Sequence, residues 1–162
     1  MGKIYLICGK ICSGKTCYAR RLKEKHGAVI LSMDELSCAL INNEQGSFYD
    51  ALTRRAGLYL RSIAAETARA GANVILDWGF WTRESRADMS DFLNRSDVPY
   101  EWHYVDVPDA LWQANIRERN SRVLAGRGGA DFYVDEGLLN KLLSLFEAPG
   151  RAEMDVWYIP PG

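Results

Sequence analysis

Gly9-Lys10-Ile11-Cys12-Ser13-Gly14-Lys15-Thr16 is a complete G-x-x-x-x-G-K-[ST] string. It lies between an apolar, β-branched run, Lys3 to Cys8, and a helical pattern from Gly14 to Lys25 whose second half is rich in Lys and Arg, where the helix dipole favours cations. At an ordinary glycine frequency, such a string arises by chance on the order of 10⁻⁵ to 10⁻⁴ per position. Its glycines let the backbone curl so that successive N–H groups converge on one concavity, and the helix start adds further unpaired N–H groups. The ligand this predicts is ATP with Mg²⁺, held by Gly9 through Thr16 and by Cys17 at the helix start. Lys15 is expected at the β- and γ-phosphates and the Thr16 hydroxyl on Mg²⁺.

Strand then helix repeats along the chain. Ala28–Leu31, Asn73–Leu76, Tyr100–Val105 and Val156–Ile159 read as further strands. Ser32 and Glu35 form a capping-box pattern opening a helix, and Asn42–Ser47 reads as a loop. Leu52, Ala56, Leu60, Ile63 and Thr67 recur at helical spacing up to Gly71. Helices are also predicted over Thr82–Leu93, Pro108–Arg122 and Val134–Phe146, with a glycine-rich, mobile loop over Leu124–Asp131. This alternation predicts a single α/β domain over residues 1–162, a mostly parallel sheet covered on both faces. Ligands in such sheets bind beyond the carboxyl ends of the strands, which selects Gly9–Thr16, Ser32–Asp34, Asp77–Trp81 and the segment after Val105.

Composition narrows the partners. With 20 Lys+Arg against 21 Asp+Glu among 162 residues, there is no broad electrostatic case for nucleic acid or an anionic membrane. No run approaches the ~18 apolar residues of a membrane helix. The apolar start is too short for a signal peptide, and Leu6 stands where myristoylation needs Ser or Thr, so a cytoplasmic location is expected. Cys8, Cys12, Cys17 and Cys38 match no metal-ligand spacing and read as reduced thiols, while His26 and His103 stand alone. Cys12 and Cys17 lie near a helix start, which can lower a thiol pKa; oxidation blocking ATP and simple packing are the alternatives.

A GTPase should carry Asn-Lys-x-Asp after a strand, and Asn94-Arg95-Ser96-Asp97 lacks the lysine and follows a helix. Small size and arginines preceding a late glycine-rich loop favour a kinase with a lid around residues 115–131. In its phosphate loop, Ser32-x-Asp34, Asp77, Arg119 and Arg122, and Phe146-Glu147-x-Pro149, nearly the whole chain resembles the small P-loop kinases that include chloramphenicol phosphotransferase, the zeta-toxin kinases and the kinase domain of polynucleotide kinase. Asp77-Trp78-Gly79-Phe80-Trp81 followed by Arg83 and Arg86 resembles an uncharacterised bacterial branch of that group. One departure is Asn115, where relatives often carry arginine.

The resemblance implies a three-layer sandwich with a five-stranded parallel sheet in the order 2-3-1-4-5, and transfer of the γ-phosphoryl group of ATP to a hydroxyl of a small-molecule acceptor. It implies Asp34 as general base, against a plain role at the start of its helix. Asp77 is implied as the carboxylate holding Mg²⁺ through water, alongside Thr16, against a turn-starting Asp. Arg119 and Arg122, with Arg117 and Arg127, are candidates for offsetting phosphoryl charge, against a solvated helix face. Arg83 and Arg86 are candidates for an anionic acceptor, Arg86 alternatively for a bridge between helices. Trp78, Phe80 and Trp81, with Phe48 and Tyr49, are candidate walls of an acceptor pocket, against core packing. A nucleotide-sugar or polynucleotide 5′-hydroxyl acceptor, and a regulatory ATPase acting through a protein partner, are the rival functions.

Overall fold

The strand β1, Ile4–Cys8, is buried along its whole length because both faces of the sheet are covered. Alternate residues of β1 point to opposite layers. Ile4, Leu6 and Cys8 join Val74, Leu76, Leu93, Trp102 and Tyr104 in the core on one face. Tyr5 and Ile7 join Tyr18, Ala19, Leu22 and Val105 on the other.

The computed structural model describes residues 1–41, 47–129 and 131–161. After β1 come α1 (Lys15–His26), β2 (Val29–Ser32), α2 (Met33–Ile41), α3 (Ser47–Arg69), β3 (Val74–Gly79) and α4 (Arg83–Arg95). Then follow β4 (Tyr100–Val105), α5 (Asp109–Leu124), α6 (Glu136–Ser144), a 3₁₀ turn (Arg151–Glu153) and β5 (Val156–Tyr158). The sheet has five strands in the order β2-β3-β1-β4-β5, every pair parallel, as the resemblance implies. Putting the first strand in the middle brings the loop after β1 between the carboxyl ends of β3 and β4.

Local boundaries differ from expectation for physical reasons. Ser47 opens α3 rather than closing a loop; the rest of the expected loop, residues 42–46, and the side chains of Phe48 and Tyr49 lie outside the described residues. Glu35 N–H donates to Ser32 Oγ at 3.3 Å, the predicted cap of α2. The helix predicted from Val134 starts only at Glu136, because the Asp135 carboxylate accepts from Leu138 N–H at 2.7 Å and sets the cap there. Strand β3 runs to Gly79 instead of Leu76. Gly79 pairs with Cys8 while Asp77 pairs with Ile7, so Trp78 is an extra residue opposite nothing, a β-bulge that re-aims the chain beyond it.

Candidate active site

At the carboxyl end of β1 the chain turns through Gly9, whose bare Cα is a packing requirement. A Cβ there would lie 2.6 Å from Ser13 Oγ and 3.2 Å from the Val105 carbonyl. Cys12 takes a left-handed φ of 57°, which curls the loop at a cost of about 1 kcal/mol for a non-glycine residue. Ser13 is 1% exposed and its hydroxyl has no partner among the described residues. A buried donor in a ring of backbone amides suits a phosphate oxygen. Lys15 Nζ folds over the loop and donates to the Lys10 carbonyl at 2.8 Å. Burial pushes the Lys15 pKa down, while the negative charges of Asp77 and Asp34 oppose that shift.

The Thr16 hydroxyl donates to Asp77 Oδ2 at 2.8 Å, joining the first turn of α1 to β3. Asp77 is 6% exposed, and burial raises its pKa against the opposing effects of Lys15 and the Thr16 hydrogen bond. Two hard oxygen donors held together beside a phosphate cradle fit Mg²⁺, which takes few protein ligands and completes its shell with phosphate and water oxygens. No group of three or more His, Cys, Asp or Glu side chains able to hold a metal alone occurs among the described residues. Asp34 is exposed on the first turn of α2, and its charge acts on both Lys15 and Asp77. Lys15, Thr16, Asp34 and Asp77 therefore share one end of the sheet.

Beyond the bulge, Gly79 and Phe80 both take left-handed conformations, φ 82° and 46°. The turn is held by three anchors. Arg86 Nη1 donates to the Phe80 carbonyl at 3.1 Å and to that of Glu147 at 3.0 Å. Glu147 N–H donates to the Trp81 carbonyl at 2.7 Å, and the Glu147 carboxylate accepts from Arg83 N–H. Trp78 Nε1 donates to the Leu31 carbonyl at 3.0 Å, tying the turn to β2. Arg86 is 2% exposed and also pairs with Glu153 at 2.9 Å. The Arg86 guanidinium thus faces protein carbonyls and a carboxylate in place of an acceptor, and it joins α4 to the turns after β3 and α6 and to the 3₁₀ turn, not to another α-helix. Arg83 is exposed, with its Nε 3.8 Å from Glu153.

Trp78, Phe80 and Trp81 line a cavity of about 440 Å³ with Met33, Gly57 and Met89. Phe80 is also core, meeting Trp102 edge-on at 4.8 Å. The cavity includes residues that the sequence patterns left unassigned: Arg54 and Arg61 on α3, Thr82, and Ser85 and Asp88 on α4. Arg61 pairs with Asp88 at 2.8 Å. Arg54, Gly57, Leu58 and Arg61 fall at helical spacing, and that polar-apolar stripe within the α3 pattern was the available signal.

One face of α5 grips the phosphate loop from the other side. Trp112 Nε1 donates to the Ile11 carbonyl at 2.8 Å, Asn115 Nδ2 to the Cys12 carbonyl at 3.0 Å, and Arg119 Nη1 to Cys12 Sγ at 3.8 Å. Lys10 Nζ stands 3.8 Å over the Trp112 ring. Asn115, the departure from the resembled pattern, thus has its own bond to the loop. Arg119 and Arg122 both pair with Asp131, at 3.4 and 3.1 Å. Arg119 lies beside the loop with its side chain 15% exposed, and Arg122 further out at 49%. Arg117 and Arg127 are exposed. Cys12 and Cys17 are free thiols like Cys8 and Cys38, Cys17 exposed.

No helix among the described residues is long and apolar enough to cross a membrane. No curated protein matches the chain. Among solved structures, a putative kinase from Chloroflexus aurantiacus superposes with a TM-score of 0.71 at 14% identity, covering 98% of this chain and 84% of the other. The APS kinase CysC of Mycobacterium tuberculosis, in complex with AMPPNP and APS, gives a TM-score of 0.64 at 20% identity over 98% and 88% of the two chains. A gluconokinase from Sinorhizobium meliloti gives 0.60 at 13% identity over 98% and 82%. At such identities the likeness is one of fold, and that fold is the one these P-loop kinases share. The sequence model of the AAA domain family matches residues 4–149, from the first strand to the turn after α6, and the chain belongs to that family.

Proposed function

We propose that this chain is an ATP-dependent phosphotransferase that moves the γ-phosphoryl group of Mg²⁺–ATP to a hydroxyl of a small-molecule acceptor. The observation that carries this reading is the Thr16–Asp77 bond beside Lys15, together with an aromatic cavity whose wall residue Trp81 approaches Gly79 as Lys15 Cε does. A nucleotide-binding loop and an acceptor cavity meeting at one sheet end are what group transfer needs. The narrower likeness to the chloramphenicol phosphotransferase, zeta-toxin and polynucleotide kinase group belongs to the same proposal and rests on the ordered motif set.

In this reading the phosphate oxygens lie among the amides of residues 9–17, with Lys15 on the β- and γ-phosphates. Thr16 and Asp77 hold Mg²⁺, which supplies charge neutralisation on the phosphates. Asp34 orients the acceptor hydroxyl and receives its proton as the new O–P bond forms and the γ-phosphorus–oxygen bond to ADP breaks. Arg119 and Arg122 belong to a lid over residues 115–131 that excludes water from the transferring group. Trp78 and Trp81 wall the acceptor, and exposed Arg83 faces any anionic part of it. Arg86 acts only by holding the turn.

The test is ATP consumption with and without a panel of hydroxylated acceptors, nucleotide sugars and 5′-hydroxyl oligonucleotides included. Stimulation by a small hydroxylated acceptor, lost in Asp34→Asn, supports the proposal, whereas stimulation by a nucleotide sugar or an oligonucleotide alone supports the corresponding rival acceptor. Slow hydrolysis indifferent to every acceptor contradicts it and supports a regulatory ATPase.

A further inference from the structure

Four of the five tryptophan indoles have a defined acceptor: Trp78 the Leu31 carbonyl, Trp102 the Ser90 hydroxyl, Trp112 the Ile11 carbonyl and Trp157 the Asp106 carboxylate. Trp81 Nε1 is buried and has no partner among the described residues. A buried indole N–H without an acceptor is unfavourable, so its position calls for a reason. The main chain that carries it is held on both sides, the Phe80 carbonyl accepting from Arg86 Nη1 and the Trp81 carbonyl from Glu147 N–H.

Gly79 shows where the indole nitrogen sits. A Cβ on Gly79 would lie 2.6 Å from Trp81 Nε1 and 3.5 Å from Lys15 Cε. The two side chains therefore converge over one bare Cα, and only glycine permits it, both for that space and for its φ of 82°. Trp81 also lines the aromatic cavity. Its N–H consequently stands at the junction of the phosphate cradle and the cavity, next to the lysine of the loop. Lys15 Nζ, one bond beyond that Cε, gives one N–H to the Lys10 carbonyl and keeps two more, so an indole N–H and a cationic donor stand near one junction, an arrangement suited to an anionic oxygen.

We propose that the Trp81 indole N–H is a hydrogen-bond donor to a γ-phosphate oxygen of the bound nucleotide, making Trp81 the residue that distinguishes a triphosphate from a diphosphate. This rests on the phosphotransferase reading above, since it places a nucleotide on the loop. The indole completes the donor set from the acceptor side, while Ser13 and the loop amides serve from below. The aromatic ring meanwhile forms the cavity wall. One side chain thus couples nucleotide state to the acceptor site.

The test is isothermal calorimetry of wild type and Trp81→Phe with Mg²⁺–AMPPNP and with Mg²⁺–ADP. Phenylalanine keeps a ring and removes the N–H. The expected result is affinity for AMPPNP reduced about 10- to 100-fold, the range of a hydrogen bond to a charged group, with ADP affinity within twofold of wild type. Equal affinities in both proteins for both ligands, or equal losses for both, overturn the proposal. A wild type that binds neither nucleotide defeats the phosphotransferase reading instead. A second measurement reads the indole directly: in ¹⁵N–¹H spectra, the Trp81 resonance, assigned by its loss in Trp81→Phe, should move when AMPPNP replaces ADP. An unmoved Trp81 resonance would equally overturn the proposal, whatever the Trp112 indole on the loop does.

Discussion

The hydroxyl of Thr16 and the carboxylate of Asp77 meet at 2.8 Å across 61 residues of sequence, with Asp77 buried and Thr16 exposed. A rigid strand end and the first turn of a helix thereby present two oxygens to the same point. Thr16→Val should leave the affinity for ADP in EDTA unchanged and abolish the gain in affinity on adding Mg²⁺. A Mg²⁺ gain equal to wild type, measured by calorimetry, would contradict the assignment of these oxygens to the metal.

Asp34 is exposed, yet its charge acts on Lys15 and Asp77. Asp34→Asn is expected to lower turnover with a responsive acceptor by about 10²–10⁴ while nucleotide affinity stays near wild type. A role confined to the start of α2 would cost only about 0.3–1 kcal/mol of stability and leave turnover intact. Steady-state kinetics alongside a thermal melt separates the two.

Arg119 lies against the phosphate loop through Cys12 and is bound to Phe132 O at 3.2 Å, whereas Arg122 is half exposed. Arg119→Ala should therefore lower turnover more than Arg122→Ala. If both variants stay within a few-fold of wild type, the arginines do not serve the transferring phosphoryl group.

The buried Arg86 clamp makes a stability prediction with a defined sign. Its hydrogen bond to Glu153 holds that carboxyl below its ordinary value of 4.5. A carboxyl depressed in the folded state stabilises it fully above the unfolded-state pKa, and that contribution is lost as pH falls through the folded value. The difference in Tm between wild type and Glu153→Gln should hold from pH 7 to about 5.5 and shrink as pH falls below 4.5. Removing the cation is harsher, because it strands two carbonyls and a carboxylate, and Arg86→Ala should cost about 3 kcal/mol. A pH-independent difference in the Gln variant would show that the pair contributes no charge-dependent stability.

The parts of the site that lie within one stretch of chain were legible before any coordinates. Gly9 through Thr16 carries its own geometry, since the curl, the lysine and the helix start are contiguous. Strand and helix alternation likewise announced the layers, though the strand order came from resemblance. What stayed hidden depends on partners distant in sequence. A bridging Arg86 was one of two readings, but its partner Glu153 is 67 residues away, and the α5 grip requires the Ile11 and Cys12 carbonyls more than 100 residues earlier. The bulge at Trp78 was invisible because a run of apolar residues does not mark where the register with β1 slips. Arg54, Arg61 and Asp88 were missed because the α3 and α4 patterns were read for their apolar faces alone.

All of this depends on the loop after β1 gripping a triphosphate through Lys15. The most direct measurement is calorimetric titration of Mg²⁺–ATP into wild type and Lys15→Ala, with matched thermal melts showing both folded. Micromolar-range binding by wild type and no measurable binding by the variant is the predicted result. Equal affinity in the two proteins would contradict it.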